Sequence, residues 1–443
     1  MRHGCQSSDQ WREGPTDAYQ FRPLLIRAHM RAALLAVTPV IGLLAFLASQ
    51  PAAVLAQDNT PPDTLHLSMA DVLTQVREEH PLWKAGAAKV RAAEARAADR
   101  SSIPNPKVRI EPEALTAVRL ELLQPIRWPW ESAALRGVGS RDVAAATAGA
   151  EGDRRAVMLD AAQRFADGLR TTRALALAME AESLAQHTVD EVAPGDRPDW
   201  TADLAGLQTL ISLDEAHRAG VRARLQHTVA QTRLAVLLGR VPGTEIIFDG
   251  ELETTAPLTA PEGALVTALT TDPTAARLAA EAGRAEQEAR LARARRWPSF
   301  ELGPSFTVGD ESRVGLALGF VLPVWNRQSN AIRAAHAERD TALARINVRN
   351  RELTALVTEA IVTLTRTSTE LELLRGGALE RTARAHRLAE QAAPGRGAYV
   401  LAWLAARRAY LDARAAELDL EWQAAQARVL LRSLTGSLIM EEP

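Results

Sequence analysis

Four punctuation marks recur in this chain at a nearly constant offset: Pro104 with Pro298, Pro125 with Pro323, Pro194 with Pro394 and Gly239 with Gly436, each pair 194–200 residues apart. Between the marks the same succession of patterns runs twice: a helix, two strands, a long helix, a break and a second helix. A coarse unit of this kind has been duplicated. The period is far longer than that of solenoid repeats, which run about 20–50 residues. The boundaries read from it are 1–56 for a leader, 57–240 for the first repeat, 241–263 for a connector, 264–436 for the second repeat and 437–443 for a tail.

The clearest copy of the joint between strand and helix is Val314 to Arg327, reading VGLALGFVLPVWNR. Val314, Leu316, Leu318 and Phe320 fall on every second position opposite Gly315, Ala317 and Gly319, the period of a strand. Pro323 has no N–H for a ladder and ends it. The first copy, Val118 to Arg127, is more polar, with Arg119 and Glu121 inside the strand and Pro125 at its end. Its partner strand carries Val108 and Ile110, and a very short turn near Ala114 to Ala117 joins the two. Strands are also expected over Phe300 to Val308 and, in the connector, over Ile246 to Phe248.

Helical patterns fill most of the rest. One runs from Leu65 to Ser101, with Ser68 as N-cap and an interruption at His80-Pro81. Others run from about Trp130 to Val192, Thr201 to Leu238, Ala264 to Arg296, and from Arg327 to the Ala393-Pro394-Gly395 break, with a last helix ending near Leu434. A helix of about 60 residues is on the order of 90 Å long, so it must find partners along its flank. Leu353, Val357, Ala360, Leu364, Leu371 and Leu374 trace a coiled-coil seam. A set of threonines (Thr354, Thr358, Thr363, Thr365, Thr367 and Thr369) gives that helix a polar side. The glycine pair Gly376-Gly377 interrupts it and is a candidate kink. The fold class is therefore mainly α with a small β part, in long antiparallel helical hairpins.

Composition narrows the function. The residues are 47% hydrophobic but only 4% aromatic, and the net charge is −2, which leaves no basic footprint for nucleic acid. Arg22, Arg27 and Arg31 precede an apolar run from Ala32 to Leu47, and Val54-Leu55-Ala56 offers small residues for cleavage, the pattern of a secretory signal peptide. A membrane anchor is the alternative reading of that run. Met30 competes with Met1 as the true start. The sole cysteine, Cys5, precedes the run, so a mature chain would have no thiol.

No nucleophile elbow, phosphate loop or His/Cys cluster at metal spacing is present, so no enzyme activity, metal or cofactor is expected. Gly137-Val138-Gly139 is a lone glycine pair before a helical run, and His217 and His227 read as solvent-facing or packing histidines. Trp128, Trp130, Trp297 and Trp325 sit on the helix side of the strand-bounding prolines, where they suit either a core or an aromatic girdle at a membrane face. Polar residues gather at the two breaks between helices: Asp196, Arg197 and Asp199 after the first, and Arg396, Gly397 and Tyr399 after the second. Ordinary turn chemistry accounts for such residues.

Four strands cannot close a transmembrane barrel, which needs about 8. They form either a small sheet of their own or a share of a barrel built by several chains. At these residues the chain resembles the TolC-like outer-membrane efflux protein family. Leu65-His66-Leu67, Ala70-Asp71-Val72-Leu73 and His80-Pro81 look like its amino-terminal helix, Pro104-Asn105-Pro106 like its strand entry, and Leu322-Pro323-Val324-Trp325-Asn326-Arg327 like its strand-to-helix joint. The resemblance covers Thr64 to Gly436.

It implies a homotrimer in which each chain gives four strands to one twelve-stranded barrel in the outer membrane and its helices to a periplasmic tunnel. It also implies a periplasmic adaptor and an inner-membrane pump as partners. In the family's terms, Asp196, Arg197, Asp199, Arg396 and Tyr399 would line or latch the closed periplasmic aperture, and Gly397 to Leu401 would touch the adaptor. The overall look points to the heavy-metal efflux branch, although no metal-ligand spacing accompanies it. The competing expectation is a periplasmic structural or adaptor-like coiled-coil protein whose strands form a small soluble sheet.

Overall fold

The structure, a computed structural model, describes residues 64–114, 117–191, 200–252, 261–309, 312–392 and 397–440. The described residues start with a strand, β1 (Leu65–Leu67), and then α1 (Met69–Glu79) and α2 (Pro81–Ser101). A hairpin of β2 (Lys107–Ala114) and β3 (Ala117–Ile126) leads into α3 (Pro129–Glu191), and α4 (Trp200–Leu237) returns along it. After β4 (Ile246–Phe248) the order repeats with α5 (Pro261–Thr271), α6 (Pro273–Ala294), β5 (Ser299–Val308), β6 (Arg313–Val321) and α7 (Ser329–Leu373). A π-helical turn (Leu374–Ala378) carries α7 into α8 (Leu379–Gln391), and α9 (Gly397–Thr435) and α10 (Ser437–Met440) complete the described chain.

Three elements differ from their sequence patterns. Leu65–Leu67 is a strand and not the start of a helix, because it pairs in parallel with Ile246–Phe248 from the connector. The helix begins only at Ser68, whose hydroxyl accepts from Asp71 N while the Asp71 carboxylate accepts from Ser68 N, a complete capping box. The pattern from Ala264 to Arg296 is two helices, since Asp272 caps a fresh N-terminus by accepting from Ala275 N at 2.8 Å, with Pro273 at its first position. At Gly376-Gly377 the helix does not break but widens by one residue into the π turn.

The main core lies where the short β1/β4 ribbon crosses the long helices. Leu67, Val72, Val76, Met158, Phe165 and Leu234 are buried there around Ile246 and Phe248. Phe248 lies against α3 so closely that a Cβ on Gly168 would fall 2.0 Å from its ring. The coiled-coil seam of α7 is buried at Leu353, Val357, Ala360, Leu364 and Leu371, against Ala264, Ala268 and Leu431 and, further along, Ala424 and Ala427. Thr367 departs from the threonine side chains expected to face water, because it occupies a seam position and is buried. Its hydroxyl bonds back to the Thr363 carbonyl, so it costs the seam no unsatisfied group.

Candidate functional site

The strands form one antiparallel sheet in the order β2-β3-β5-β6. Its register sorts the residues onto two opposite faces. On one face Ile110 pairs with Leu120 and Leu120 with Phe306, then Phe306 with Val314, and Leu302 with Leu318. This face is apolar and open to the surroundings: Val314 is 78%, Leu316 74% and Phe320 59% exposed. On the other face lie four cations and four carboxylates, Lys107, Arg109, Arg119 and Arg313 with Glu111, Glu113, Glu121 and Glu301. Lys107 Nζ reaches Glu301 at 2.5 Å and Arg109 reaches Glu121 at 3.4 Å. Arg119 meets Glu113, which also accepts from the Thr307 hydroxyl at 2.9 Å. Arg119 and Glu121 are therefore one end of a cross-strand ladder on a single face and do not interrupt the apolar one.

The sheet curls toward its polar side. Leu123 on that face is 1% exposed and Glu121 is buried, whereas their neighbours on the apolar face stand open. Among the described residues β2 and β6 each lack a second strand partner, so both edges offer unpaired backbone groups.

The helices continue this order. α2, which feeds β2, packs beside α3, α3 beside α6, and α6 beside α7, giving a layer α2-α3-α6-α7 that repeats β2-β3-β5-β6. Gly137-Val138-Gly139 is packed from two sides, since a Cβ on Gly139 would meet the Ala97 Cβ of α2 at 2.7 Å and one on Gly137 would meet the Gln287 side chain of α6 at 2.6 Å. Close helix packing is the use of that glycine pair. A trough of about 860 Å³ runs over the middle of the layer, floored by Ala145, Gly149 and Gly152 of α3 and walled by Lys89, Arg96 and Arg277.

Where strands become helices, aromatic rings collect. Trp128 stacks on Trp130 at 4.7 Å, Trp130 lies 5.9 Å from Trp297, and Trp128 sets its edge against Phe300 at 5.4 Å. Trp128, Trp130 and Trp297 pack on one another, while Trp325 is 96% exposed. Pro125 sits on the polar face opposite Glu301, and Pro323 follows the last residue of β6.

At the far end of the helices, α3 and α4 form one hairpin and α8 and α9 the other. The Arg407 guanidinium of α9 is 6% exposed. It donates to the Leu184 carbonyl and Thr188 hydroxyl of α3 and to the Ser212 hydroxyl of α4, at 2.8–3.0 Å. Burial holds its pKa below the usual arginine value. Residue-type reasoning gave no sign of this cross-tie, because its partners are 195 and 219 residues away in sequence.

Of the aperture candidates, Asp196, Arg197, Asp199 and Arg396 lie outside the described residues. Gly397 opens α9 and Tyr399 is exposed in its first turn. His217 is exposed and bonded to Glu182, and His227 is half-buried against Phe248. No group of three or more His, Cys, Asp or Glu converges as a metal site among the described residues. No described helix is long and apolar enough to cross a membrane.

Comparison with known proteins agrees with this geometry. Residues 264–437 match the family model described as outer membrane efflux protein. Three solved structures share the fold. The outer membrane protein VceC of Vibrio cholerae has 14% identity and a TM-score of 0.67, over 83% of this chain and 96% of its own. The open-state MtrE outer membrane channel of Neisseria gonorrhoeae has 14% identity and a TM-score of 0.68, over 83% and 88%. The CmeC outer membrane channel of Campylobacter jejuni has 15% identity and a TM-score of 0.66, over 84% and 87%. No curated protein sequence matches. Residues 264–437 thus resemble the outer membrane efflux protein family, and the chain as a whole has the fold of the TolC-like outer-membrane channels.

Proposed function

We propose that this chain is the outer-membrane channel of a tripartite efflux system, a passive conduit from the periplasm to the exterior. One observation carries the reading: a curled four-stranded sheet, apolar outside and charged inside, with both edges unpaired, leads directly into a helical layer of the same order. In lipid every backbone polar group must find a partner. Joining β6 of one copy to β2 of the next satisfies both edges. Three copies then give twelve strands, within the range of outer-membrane barrels, and three helical layers join at α7 and α2 to continue the tunnel. The apolar face meets lipid and the charged ladder lines water.

A periplasmic coiled-coil protein without a barrel is the competing reading. It leaves Val314, Leu316, Leu318 and Phe320 in water as a continuous apolar face, which soluble proteins avoid. A channel of this kind takes its solute from a pump through a periplasmic adaptor, and its width leaves solute selection to the pump. The ends of the two hairpins, with Asp196, Arg197, Asp199, Arg396, Gly397 and Tyr399, form the periplasmic aperture and the adaptor contact.

Cell fractionation together with gel migration before and after boiling tests the reading. Recovery in outer membranes as a heat-modifiable trimer is expected, and a soluble monomer overturns it. A charge reversal at Asp199 that leaves both conductance and efflux unchanged removes the aperture assignment.

A further inference from the structure

The two outer edges of the sheet differ on its charged face. Along β2 the inward residues are all long and charged: Lys107, Arg109, Glu111 and Glu113. Along β6 the inward residues after Arg313 are Gly315, Ala317 and Gly319. The β2 side chains lean over their own copy, Lys107 to Glu301 and Arg109 to Glu121. A Cβ at Gly319 would meet nothing nearer than the Glu301 side chain, at 3.5 Å. One edge therefore carries a row of bulky chains and the other a bare strip. On the opposite face both edges are apolar and open, with Val108 and Ile110 exposed on β2 and Leu318 and Phe320 exposed on β6.

The edges also match in length. β2 runs from Lys107 to Ala114 and β6 from Arg313 to Val321. An antiparallel pairing, the sense of the rest of the sheet, can set Lys107 against Val321 and Ala114 against Val314, which leaves only Arg313 beyond the ladder. Sliding by one residue would set the apolar face of one strand beside the charged face of the other. Sliding by two, in one direction or the other, leaves three or five residues without a partner instead of one, which lipid penalises.

Stagger selects the same register. Across one copy, Arg109 pairs with Glu121, Glu121 with Ser305 and Ser305 with Gly315. With the strand ends matched, Gly315 meets Glu113 of the next copy, which lies beyond Arg109 on the same strand by four residues. Three copies accumulate a stagger of about 12 residues over about 12 strand spacings, a tilt of about 35°. Sliding by two residues would give about 19° or about 46°, whereas outer-membrane barrels tilt by about 35–45°.

We propose that β6 of one copy joins β2 of the next in this single register, with Glu113 beside Gly315, Glu111 beside Ala317 and Arg109 beside Gly319. The bare strip leaves room for the neighbour's charged side chains to stand in the channel. On the lipid side Val108 lies against Phe320 and Ile110 against Leu318, cross-strand pairs of the kind that stabilise sheets. Pro112 falls opposite Leu316 and removes at most one N–H from the ladder.

The inference rests on the channel reading, and the test separates the two. Within one copy positions 111 and 317 are separated by three strand spacings, about 14 Å, so a disulfide between them forms only across copies. In a Cys5→Ser background, Glu111→Cys with Ala317→Cys is oxidised in outer membranes and run on a non-reducing denaturing gel, with heat-modifiable migration recorded on the same sample. Arg109→Cys with Gly319→Cys reads the same register through different residues. Ala317→Cys combined with Arg109→Cys or with Glu113→Cys reads the two slid registers. Both matched pairs should join chains at least about fivefold more than either slid pair, because a slip of two residues moves the sulfur-bearing Cβ atoms about 7 Å along the strand.

A slid pair that joins chains as well as the matched pairs overturns the register and leaves the channel standing. So does a heat-modifiable trimer in which no pair joins them. Wild-type protein that never becomes heat-modifiable removes the channel reading and the register with it.

Discussion

Arg407 Nη1 lies 2.8 Å from the Thr188 hydroxyl, in a buried position where no carboxylate accompanies the guanidinium. The same side chain reaches Ser212, so one residue of α9 ties down both helices of the opposite hairpin. Thr188→Val should cost about 1 kcal/mol, the usual net value of one hydrogen bond. Arg407→Ala should cost more, about 2–4 kcal/mol, because it empties a packed site and removes three hydrogen bonds at once, although the Thr188 and Ser212 hydroxyls keep their bonds to the Leu184 and Thr209 carbonyls. Arg407→Met, which refills the space without a buried charge, should fall between wild type and alanine. Thermal melting of the purified protein checks the order, and limited proteolysis should show earlier cutting at the hairpin ends in Arg407→Ala.

Phe248 packs against Gly168 in the main core, with its ring where a side chain at 168 would begin. Gly168→Ala should therefore destabilise by about 1–3 kcal/mol through overpacking. Phe248→Leu should remove most of that penalty in the double variant, at the cost of its own smaller cavity. Additive losses in a double-mutant cycle would show that the two positions do not share this space.

The buried carboxylate of Asp272 does two jobs: it caps α6 and accepts two bonds from Arg349, at 3.0 and 3.1 Å. The Asp272 contact raises the Arg349 pKa. Arg349→Met should cost about 3 kcal/mol, since it leaves a buried charge without its partner. Asp272→Ser in that background keeps a capping hydroxyl and removes the stranded charge, so the double variant should be the more stable of the two. Denaturant midpoints of the three proteins decide it.

These contacts mark the limit of what residue order reveals. The alternation in Val314 to Phe320 and the heptads from Leu353 to Leu371 are local periods, and both elements form where the periods lie. Arg119 and Glu121 make the first strand read only as the more polar copy, because their partners, Glu113 and Arg109, are identified only by register. Leu65–Leu67 was hidden for a similar reason: three residues carry no period, and their mate is in the connector. Asp272 could have been found, since Thr-Asp-Pro is a capping signal in its own right, but the apolar pattern on both sides masked it. Arg407 carried no signal at all. Long-range hydrogen bonds leave no trace in spacing.

His227 supplies a pH dependence. Its ring lies 6.1 Å from Phe248, and burial lowers its pKa from the ordinary 6.5, with the charge of Glu245 opposing the shift. The folded chain therefore favours the neutral ring, and as the pH falls the unfolded chain takes up the proton first. This contribution is fully present above pH 6.5 and is lost as the pH falls through that value toward the lower folded one. Melting temperature should drop between pH 7.5 and 5.5, and His227→Gln should flatten that part of the profile. An unchanged slope in the variant would assign the drop to other groups.

The two faces of β6 give the sharpest test of membrane insertion, because Leu316 and Ala317 are adjacent in sequence and opposite in environment. Leu316 is 74% exposed on the apolar face, and Ala317 pairs with Gly303 on the charged one. In a barrel, Leu316→Arg places a guanidinium in lipid at a cost of about 2–4 kcal/mol near the bilayer midplane. Ala317→Arg places the same group in the water-filled interior beside the ladder of Glu301 and Glu121. The expected result is poor recovery of heat-modifiable protein for Leu316→Arg and near wild-type recovery for Ala317→Arg, with altered conductance in the latter. In a soluble sheet the order reverses, since an arginine at 316 would merely replace an exposed leucine while one at 317 would crowd the curled inner face.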